Sequence, residues 1–435
     1  MTASPAIFDV APPAQSRGRF ARLFATVGRY TLSASGPVAT SGVHFLISFI
    51  FMREMFAHQF GMFSFVMVIV PFCMSMIAAA LSLPITRSLD KAGIPDASIV
   101  ATSLKMNILL SAFAMLVVSN ALLFIGAPSN VALLMGLYGG VMSCRWFLRC
   151  FANNRGQVKR AVASDLIYAG GLLAAIAVMK LTGHVDLTTG AAMMLASGLA
   201  GLAPFGFKLL VRDHLSALRH GSLTAYRGTF RDLTRWSLAG VVLTEVTVNA
   251  HAYLVTFLAG PGAFALLALG QLLMRPTSLV QGTLPDIERP VMTRAIKAED
   301  EAKLSRVTRE FRFALLAVWL GTALLAAGLL LWAPDLLLKN RYAAKDVIEV
   351  TAITATIMLV RNFRAPLGTL LQAAGEFKAL AKVSSLTSVI SILATLALLL
   401  TLGPIASLGG ILLGELVTWY CCHQLVAQWR ARHAG

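Results

Sequence analysis

Charged residues are scarce in this 435-residue sequence. Asp, Glu, Lys and Arg make up 13% of it, whereas soluble globular proteins contain roughly 25%. Hydrophobic residues make up 57%, and the mean hydropathy is +0.74. This composition excludes an ordinary soluble domain and is typical of an integral membrane protein.

Cysteines and acidic residues are also few. The five cysteines show neither a disulfide framework nor the paired spacing of a zinc site, so we expect no metal and no cofactor. Acidic residues number 20 against 37 Lys and Arg, and the formal net charge is +17. In a soluble protein this charge would suggest a nucleic-acid partner. Here its distribution along the chain offers a better explanation.

The hydrophobic residues form long apolar segments. A membrane-spanning helix needs about 20 such residues, and about twelve segments of this kind are present. We therefore predict an all-α membrane protein with about 12 transmembrane helices. The predicted spans are 27–51, 60–86, 99–125, 130–150, 161–181, 188–211, 234–257, 261–287, 311–333, 346–372, 381–402 and 406–427.

Lys and Arg lie mostly on one side of the predicted spans. The connections on the other side contain only Arg53, Lys180, Lys339, Arg341 and Lys345. By the positive-inside rule, both termini are then cytoplasmic. This asymmetry accounts for the basic charge, so no nucleic-acid partner is expected.

The two halves of the chain show weak internal similarity. A shift of 201 residues aligns Leu83-Pro84 with Leu284-Pro285, and a shift of 219 residues aligns Arg145 with Arg364. Parallel repeats of this kind place a substrate site at their interface. The alternative is that membrane helices resemble one another by chance. The predicted parts are a disordered or interfacial cytoplasmic tail (1–26), an N-terminal six-helix lobe (27–211), a cytoplasmic linker forming a surface helix (212–233), a C-terminal six-helix lobe (234–427) and a cytoplasmic tail (428–435).

Six short motifs resemble, in order, those of the polysaccharide flippases of the Wzx type. They are Phe60-Gly-Met-Phe-Ser-Phe65, Arg145-Trp-Phe-Leu-Arg149, Asn153-Asn-Arg-Gly-Gln-Val-Lys159, Gly262-Ala-Phe264, Gln271-Leu-Leu-Met-Arg-Pro276 and Gln372-Ala-Ala-Gly-Glu-Phe-Lys378. That family belongs to the multidrug/oligosaccharidyl-lipid/polysaccharide exporter superfamily. The resemblance implies two lobes in a V around a central cavity. It also implies transport of a lipid-linked glycan across the bacterial inner membrane, with membrane lipids and glycan polymerase or export proteins as partners.

Arginines inside the predicted spans are the strongest candidates for a substrate site. They are Arg145, Arg149, Arg275, Arg361 and Arg364. A charge at mid-bilayer costs at least a few kcal/mol, which makes it a functional candidate. Basic residues in the spans outnumber acidic ones, so complete internal pairing is impossible. Because a guanidinium binds phosphate oxygens in a bidentate manner, we expect a cationic cavity for a lipid diphosphate.

These arginines also have structural interpretations. Arg149 and Lys105 are near enough to the predicted cytoplasmic interface to reach water along their apolar stems. Arg275 is midway along its span, where Glu245 is available as a partner in a structural ion pair. Both interpretations stay open at the level of sequence.

Three polar residues are candidates for coupling transport to H⁺ or Na⁺. Glu245 and Asn249 share one face of a predicted span, and His44 lies in the first span. Burial raises the pKa of a carboxyl group, and histidine titrates near neutral pH. The alternative is a salt bridge or hydrogen bonds between helices. Glu415 in the last span fits either role.

Three functions compete: a glycan flippase, a cation-coupled multidrug exporter of the same superfamily, and an integral membrane glycan polymerase or ligase. Dominant basic residues in the spans disfavour an exporter of cationic drugs. The longest predicted periplasmic connection, 334–345, lacks a His-acid cluster, and the usual nucleotide-binding and hydrolase motifs are missing. We therefore predict a transporter without enzymatic activity.

Overall fold

The computed structural model describes residues 19–82, 85, 97–335 and 342–433, and within these ranges it is helical without β-strands. The helices are α1 (Arg19–Glu54), α2 (Ala57–Ile77), α3 (Ala97–Phe124), α4 (Ser129–Asn154), α5 (Val158–Thr182), α6 (Leu187–Ala200), α7 (His214–His220), α8 (Leu223–Thr229), α9 (Arg235–Leu258), α10 (Pro261–Leu273), α11 (Arg275–Lys297), α12 (Glu301–Trp332), α13 (Ala344–Ala373), α14 (Phe377–Leu402) and α15 (Leu408–His433). Most of the predicted N-terminal tail lies outside the described residues.

The long helices correspond to the predicted spans. Eight are long and apolar enough to cross a membrane, and two bent segments raise this number to ten. Helices α13 and α15 are long enough as well, but they carry Arg361, Arg364 and Glu415, which lower their hydropathy. With these two, the described residues contain the twelve helical segments that the hydrophobic pattern predicts.

Two predicted spans are not straight helices. Helix α9 bends by 64° between Glu245 and Val248, and the segment predicted as one span over 261–287 is divided into α10 and α11, which meet at 63°. Met274 joins them with ψ of 7°. Pro276, the second residue of α11, has no amide hydrogen to continue the hydrogen-bond pattern of α10. Both bends lie beside charged residues that the sequence analysis selected.

The apolar core shows how the two lobes meet. One large cluster contains buried residues of both lobes, from Phe51 and Phe63 to Phe264 and Val350. Toward the end of the bundle that holds the linker (212–233), the core divides. One smaller cluster there belongs to the N-terminal lobe and includes Phe147, and another belongs to the C-terminal lobe. The lobes therefore share one apolar core at one end of the bundle, the joined end, and have separate cores at the linker end.

Close contacts between α2 and α10 make the joined end. A Cβ atom on Gly61 would overlap the carbonyl oxygen of Pro261, so a side chain at Gly61 would push the helices apart. Phe65 packs edge-on against Tyr253 and Phe257 of α9, with ring centroids 5.8 and 5.4 Å apart. These contacts close the space between the lobes at the joined end.

The linker between the lobes packs on the N-terminal lobe. Lys105 Nζ on α3 donates a hydrogen bond to the carbonyl oxygen of Gly221, at the end of α7, over 3.1 Å. The Tyr226 hydroxyl of α8 donates to the carbonyl oxygen of Ala80 and is 2.9 Å from Thr234 Oγ1. The predicted linker 212–233 is helical, as expected, but several of its residues bind α3 and the end of α2. This contact also gives Lys105 a partner within the protein.

Candidate substrate cavity between the lobes

Three connected cavities lie between and within the lobes. The first, of about 430 Å³, is in the N-terminal lobe and is lined by His44, Arg145 and Arg149 among others. The second, of about 330 Å³, lies between the lobes, and Arg275 lines both of these cavities. The third, of about 140 Å³, is in the C-terminal lobe. The second cavity shares lining residues with each of the other two, so the three cavities adjoin one another.

An ionic cluster lies in the wall of the N-terminal cavity. Arg145 Nη1 donates to Asp165 Oδ1 over 3.1 Å and to Ser164 Oγ over 3.2 Å. Arg149 Nε lies 2.9 Å from the other carboxylate oxygen. The Arg145 guanidinium also stacks on the Tyr168 ring, 4.4 Å from its centroid. Two arginines thus share one carboxylate, and an excess positive charge remains.

His44 belongs to a hydrogen-bonded chain beside this cluster. Its Nε2 atom is 2.7 Å from the Tyr168 hydroxyl, which is 2.8 Å from the Tyr138 hydroxyl. The chain connects α1, α5 and α4. His44 therefore has a polar partner, as the interpretation of a packed polar residue expects. It also lines the N-terminal cavity.

A second ionic cluster lies in the C-terminal lobe. Arg361 Nε donates to Glu415 Oε1 over 2.6 Å, and Arg364 Nε is 2.9 Å from Oε2 of the same carboxylate. Helices α13 and α15 supply these residues. The cluster has the composition of the first one, again with two guanidiniums on one carboxylate and an excess positive charge.

Arg275 differs from the other four arginines. It is the first residue of α11 and lines the space between the lobes. Among the described residues, its side chain has no hydrogen bond and no acidic partner. The N-terminal end of a helix also carries a partial positive charge. Arg275 is therefore a cation held at the centre of the cavity with nothing from the described chain to neutralise it.

Glu245 is paired with neighbours other than Arg275. Its Oε1 accepts hydrogen bonds from Asn249 Nδ2 over 3.1 Å and from the Tyr253 hydroxyl over 2.6 Å. These bonds cross the bend in α9. Because Tyr253 packs against Phe65 of the other lobe, Glu245 is connected to the contact between the lobes. Glu245 and Asn249 therefore lie together, as the sequence predicts, and the predicted alternative of an Arg275–Glu245 pair is not present in the structure.

Five candidate arginines are thus placed at three positions. Arg145 and Arg275 line one cavity, whereas Arg364 is not among the residues lining the cavities described above. The sequence predicts one cationic cavity for all five candidate arginines. Arg364 instead lies against Glu415, because α15 brings that carboxylate beside α13.

Sequence reasoning missed several residues of the site. Asp165 could have been found as the partner of Arg145, since both are ten residues from Arg155 at the turn between α4 and α5 and hence at equal depth in a hairpin. His251 had no comparable signal. It is 3% exposed and is 2.5 Å from Gln271 Nε2, in the wall of the C-terminal cavity.

Known structures with a similar fold are transporters. An inward-facing multidrug resistance transporter of the MATE family, in the MOP superfamily, matches with a TM-score of 0.64 and 13% identity over 89% of this chain and 96% of that one. The lipid II flippase MurJ, in an inward closed conformation, matches with a TM-score of 0.63 and 13% identity over 91% and 87%. The chain has the all-helical membrane fold of MOP superfamily transporters. The prediction of fold class is confirmed.

A third similar structure concerns cavity charge. It is a MOP superfamily transporter from Pyrococcus furiosus, whose description states that reverse polarity of the binding pocket suggests a different function. It matches with a TM-score of 0.53 and 14% identity over 94% of this chain and 93% of that one. No family model matches the sequence, and neither does any curated protein. At this level of identity the similarity establishes the fold and leaves the substrate to be argued from the cavity.

Proposed function

We propose that this protein is a flippase for a lipid-linked oligosaccharide whose lipid carries a diphosphate. The observation that carries the proposal is Arg275, a cation without an acidic partner among the described residues, facing the space between the lobes. A diphosphate would complete its charge-assisted hydrogen bonds. Surface or exopolysaccharide biosynthesis in the bacterial inner membrane is the corresponding process.

The two ionic clusters support binding of an anion with more than one charge. Each carries two arginines for one carboxylate, so the field in the cavity is positive even with all acids ionised. Arg149 and Arg364 lie 2.9 Å from their carboxylates, but neither Nε atom has a well-aligned hydrogen bond. Arg149 also lines the N-terminal cavity, so it is the one of these two guanidiniums that is placed to contact a phosphate there.

The mechanism is alternating access of the two lobes. They share an apolar core at the Gly61 end and have separate cores at the linker end. If the basic connections are cytoplasmic, as the positive-inside rule predicts, both termini are cytoplasmic and the cavity is in its inward-facing state. A lipid-linked glycan made in the cytoplasm would enter there.

Coupling to H⁺ or Na⁺ belongs to Glu245 and Asn249 in this proposal. Neutralising the carboxylate would alter its hydrogen bond to Tyr253, which packs on Phe65 across the lobe contact. His44 is the second coupling candidate, through its contact with Tyr168. A ligand moves such an equilibrium only if it binds the two conformations with different affinity.

A multidrug exporter is the second candidate, because MATE multidrug transporters are among the similar folds. The cavity favours the flippase, since a pump for cationic drugs needs acidic walls, and the walls here carry Arg145, Arg149 and Arg275. The third candidate, a glycan polymerase or ligase, has less support because the similar folds are transporters.

The decisive experiment replaces Arg275 in a strain that depends on this gene for glycan export. Arg275→Ala removes a charge-assisted contact of roughly 1.5–3 kcal/mol, or about 10- to 150-fold in binding, so lipid-linked glycan should accumulate on the cytoplasmic face. Arg275→Lys should rescue export in part, because it keeps the charge without the planar fork. Arg309→Ala, an exposed arginine on α12, is the matched control. Normal export by Arg275→Ala would contradict the proposal.

A further inference from the structure

The small cavity of the C-terminal lobe has the properties of a separate subsite. It has a volume of about 140 Å³, and its wall combines apolar residues, such as Ile357 and Leu408, with polar residues of four helices. They include His251 and Asn249 on α9, Gln271 on α10, Ser278 on α11 and Thr354 on α13. A cavity needs roughly 10–15 Å³ to hold one water molecule, so this cavity has space for a single sugar ring.

Two polar side chains in this wall have unused hydrogen-bonding capacity. The amide nitrogen of Gln271 donates to His251 Nε2, which leaves the proton of the neutral imidazole on Nδ1. His251 Nδ1 and Thr354 Oγ1 are both buried and have no hydrogen-bond partner among the described residues. The two side chains are each 3% exposed. Buried polar groups are normally satisfied, so these atoms indicate a ligand that the chain does not supply.

The chemistry of the wall identifies the class of ligand. It combines donors and acceptors without an acidic residue, which disfavours a cation. Arg361 is present but already binds Glu415, so an anionic ligand is not required. Side chains of His, Asn, Gln, Ser and Thr together both donate to and accept from hydroxyl groups. A hydroxyl-rich, uncharged pyranose ring meets these demands, whereas a hydrocarbon chain does not.

The position of the cavity fits one particular sugar of the substrate. Asn249, Gln271 and Ser278 line both this cavity and the central one. Ser278 is three residues after Arg275, and its hydroxyl donates to the Arg275 carbonyl over 2.8 Å. A group bound at Arg275 is therefore one helical turn from the entrance of the small cavity.

We propose that the His251 cavity binds the first neutral sugar attached to the diphosphate. This inference rests on the proposed function, since it assumes a diphosphate at Arg275. It assigns sugar selectivity to His251 and Thr354 of the C-terminal lobe, separately from the arginines that bind the charged group.

The test measures binding to the full-length protein in lipid nanodiscs. The probes are farnesyl diphosphate and farnesyl diphosphate carrying glucose, galactose or N-acetylglucosamine. We expect at least one sugar-bearing probe to bind more tightly than farnesyl diphosphate. His251→Leu and Thr354→Val should each weaken that probe by about 3- to 10-fold, the effect of one neutral hydrogen bond, while farnesyl diphosphate binds as before. Unchanged binding of farnesyl diphosphate also reports that the variants are folded.

Two control variants match these substitutions. His423→Leu changes an exposed histidine on α15, and Thr356→Val changes an exposed threonine two residues after Thr354 on α13. Neither should alter the binding of any probe. The inference is overturned if sugar-bearing probes bind no better than farnesyl diphosphate, or if His251→Leu and Thr354→Val keep the preference. Failure of the proposed function gives a different result, in which Arg275→Ala binds farnesyl diphosphate as well as the wild type does.

Discussion

The ionic clusters of the two lobes have the same composition and different surroundings. In the N-terminal lobe, the side chains of Arg145 and Arg149 are 3% and 15% exposed. In the C-terminal lobe, those of Arg361 and Arg364 are 16% and 33% exposed. The N-terminal cluster is also held by Ser164 and the Tyr168 ring. The first cluster is thus more enclosed by the protein, whereas the second keeps an arginine partly open to solvent.

A second difference concerns the helices that face the cavity. The two segments bent by more than 60° belong to the C-terminal lobe, at α9 and between α10 and α11. A shift of 201 residues aligns His44 with Glu245, yet His44 is part of a tyrosine chain and Glu245 lies at a bend. Among the described residues, both strongly bent segments therefore belong to the C-terminal lobe and lie beside Glu245 and Arg275.

The largest expected effect, a loss of stability, comes from removing the carboxylate that the two arginines of each cluster share. This change also distinguishes the two clusters most clearly. Asp165→Asn leaves two arginines with no counter-ion, of which Arg145 is nearly inaccessible, and breaking a buried pair costs about 3–5 kcal/mol. Glu415→Gln should cost less, because Arg364 reaches solvent. Thermal unfolding in detergent measures both. Equal losses of stability would remove the distinction between an enclosed and an accessible cluster.

The contact at the joined end gives a second comparison. Gly61 and Gly262 are aligned by the 201-residue shift, but only Gly61 faces a backbone atom of the other lobe at overlap distance, whereas a Cβ on Gly262 would be 4.0 Å from the nearest atom. Overpacking costs about 1–3 kcal/mol, so Gly61→Val should open the joined end and Gly262→Val should not.

Labelling of an engineered cysteine at position 257, in place of Phe257, reports this opening. A water-soluble thiol reagent should react faster in the Gly61→Val background than in the Gly262→Val background. The five native cysteines are replaced first in all variants. The same rate in both backgrounds would mean that α2 and α10 do not set the conformation of the lobes.

The aligned pair His44 and Glu245 provides a third comparison. Glu245→Gln keeps an acceptor for Tyr253 but removes the titrating charge, so export should lose most of its stimulation by a H⁺ or Na⁺ gradient while farnesyl diphosphate still binds. His44→Gln should lose less of that stimulation than Glu245→Gln does, because His44 contacts Tyr168 of its own lobe, whereas Glu245 is connected through Tyr253 to Phe65 of the other lobe. The reverse result would assign coupling to the N-terminal lobe.

The smallest expected effect concerns the linker, which is anchored on one lobe. Tyr226→Phe removes a hydroxyl that contacts Ala80 and Thr234, and one such hydrogen bond contributes about 0.5–1.5 kcal/mol. The melting temperature should fall slightly. Tyr420→Phe, at an exposed position of α15, is the control, and an equal change in both variants would argue against a specific role for Tyr226.

Part of the site was within reach of sequence reasoning. The arginine pairs 145/149 and 361/364 were found from helical spacing, and Glu245 with Asn249 in the same way. Their counter-ions were harder, because Glu415 is separated from Arg361 by α14 and a turn, and no periodicity connects them. The bend at Glu245 was also missed, since a hydrophobic count is the same for a straight and a bent segment.

The order of residues is enough to show that this protein is a helical membrane bundle with excess positive charge in its spans. That follows from side chains within windows of about 20 residues, where hydrophobicity and helix geometry act locally. Which arginines have a carboxylate partner depends on how the helices pack. Ion pairing depends on distances of about 3 Å between residues far apart in the chain. Those distances pair four arginines with carboxylates: Arg145, Arg149, Arg361 and Arg364. Arg275 has no acidic partner among the described residues.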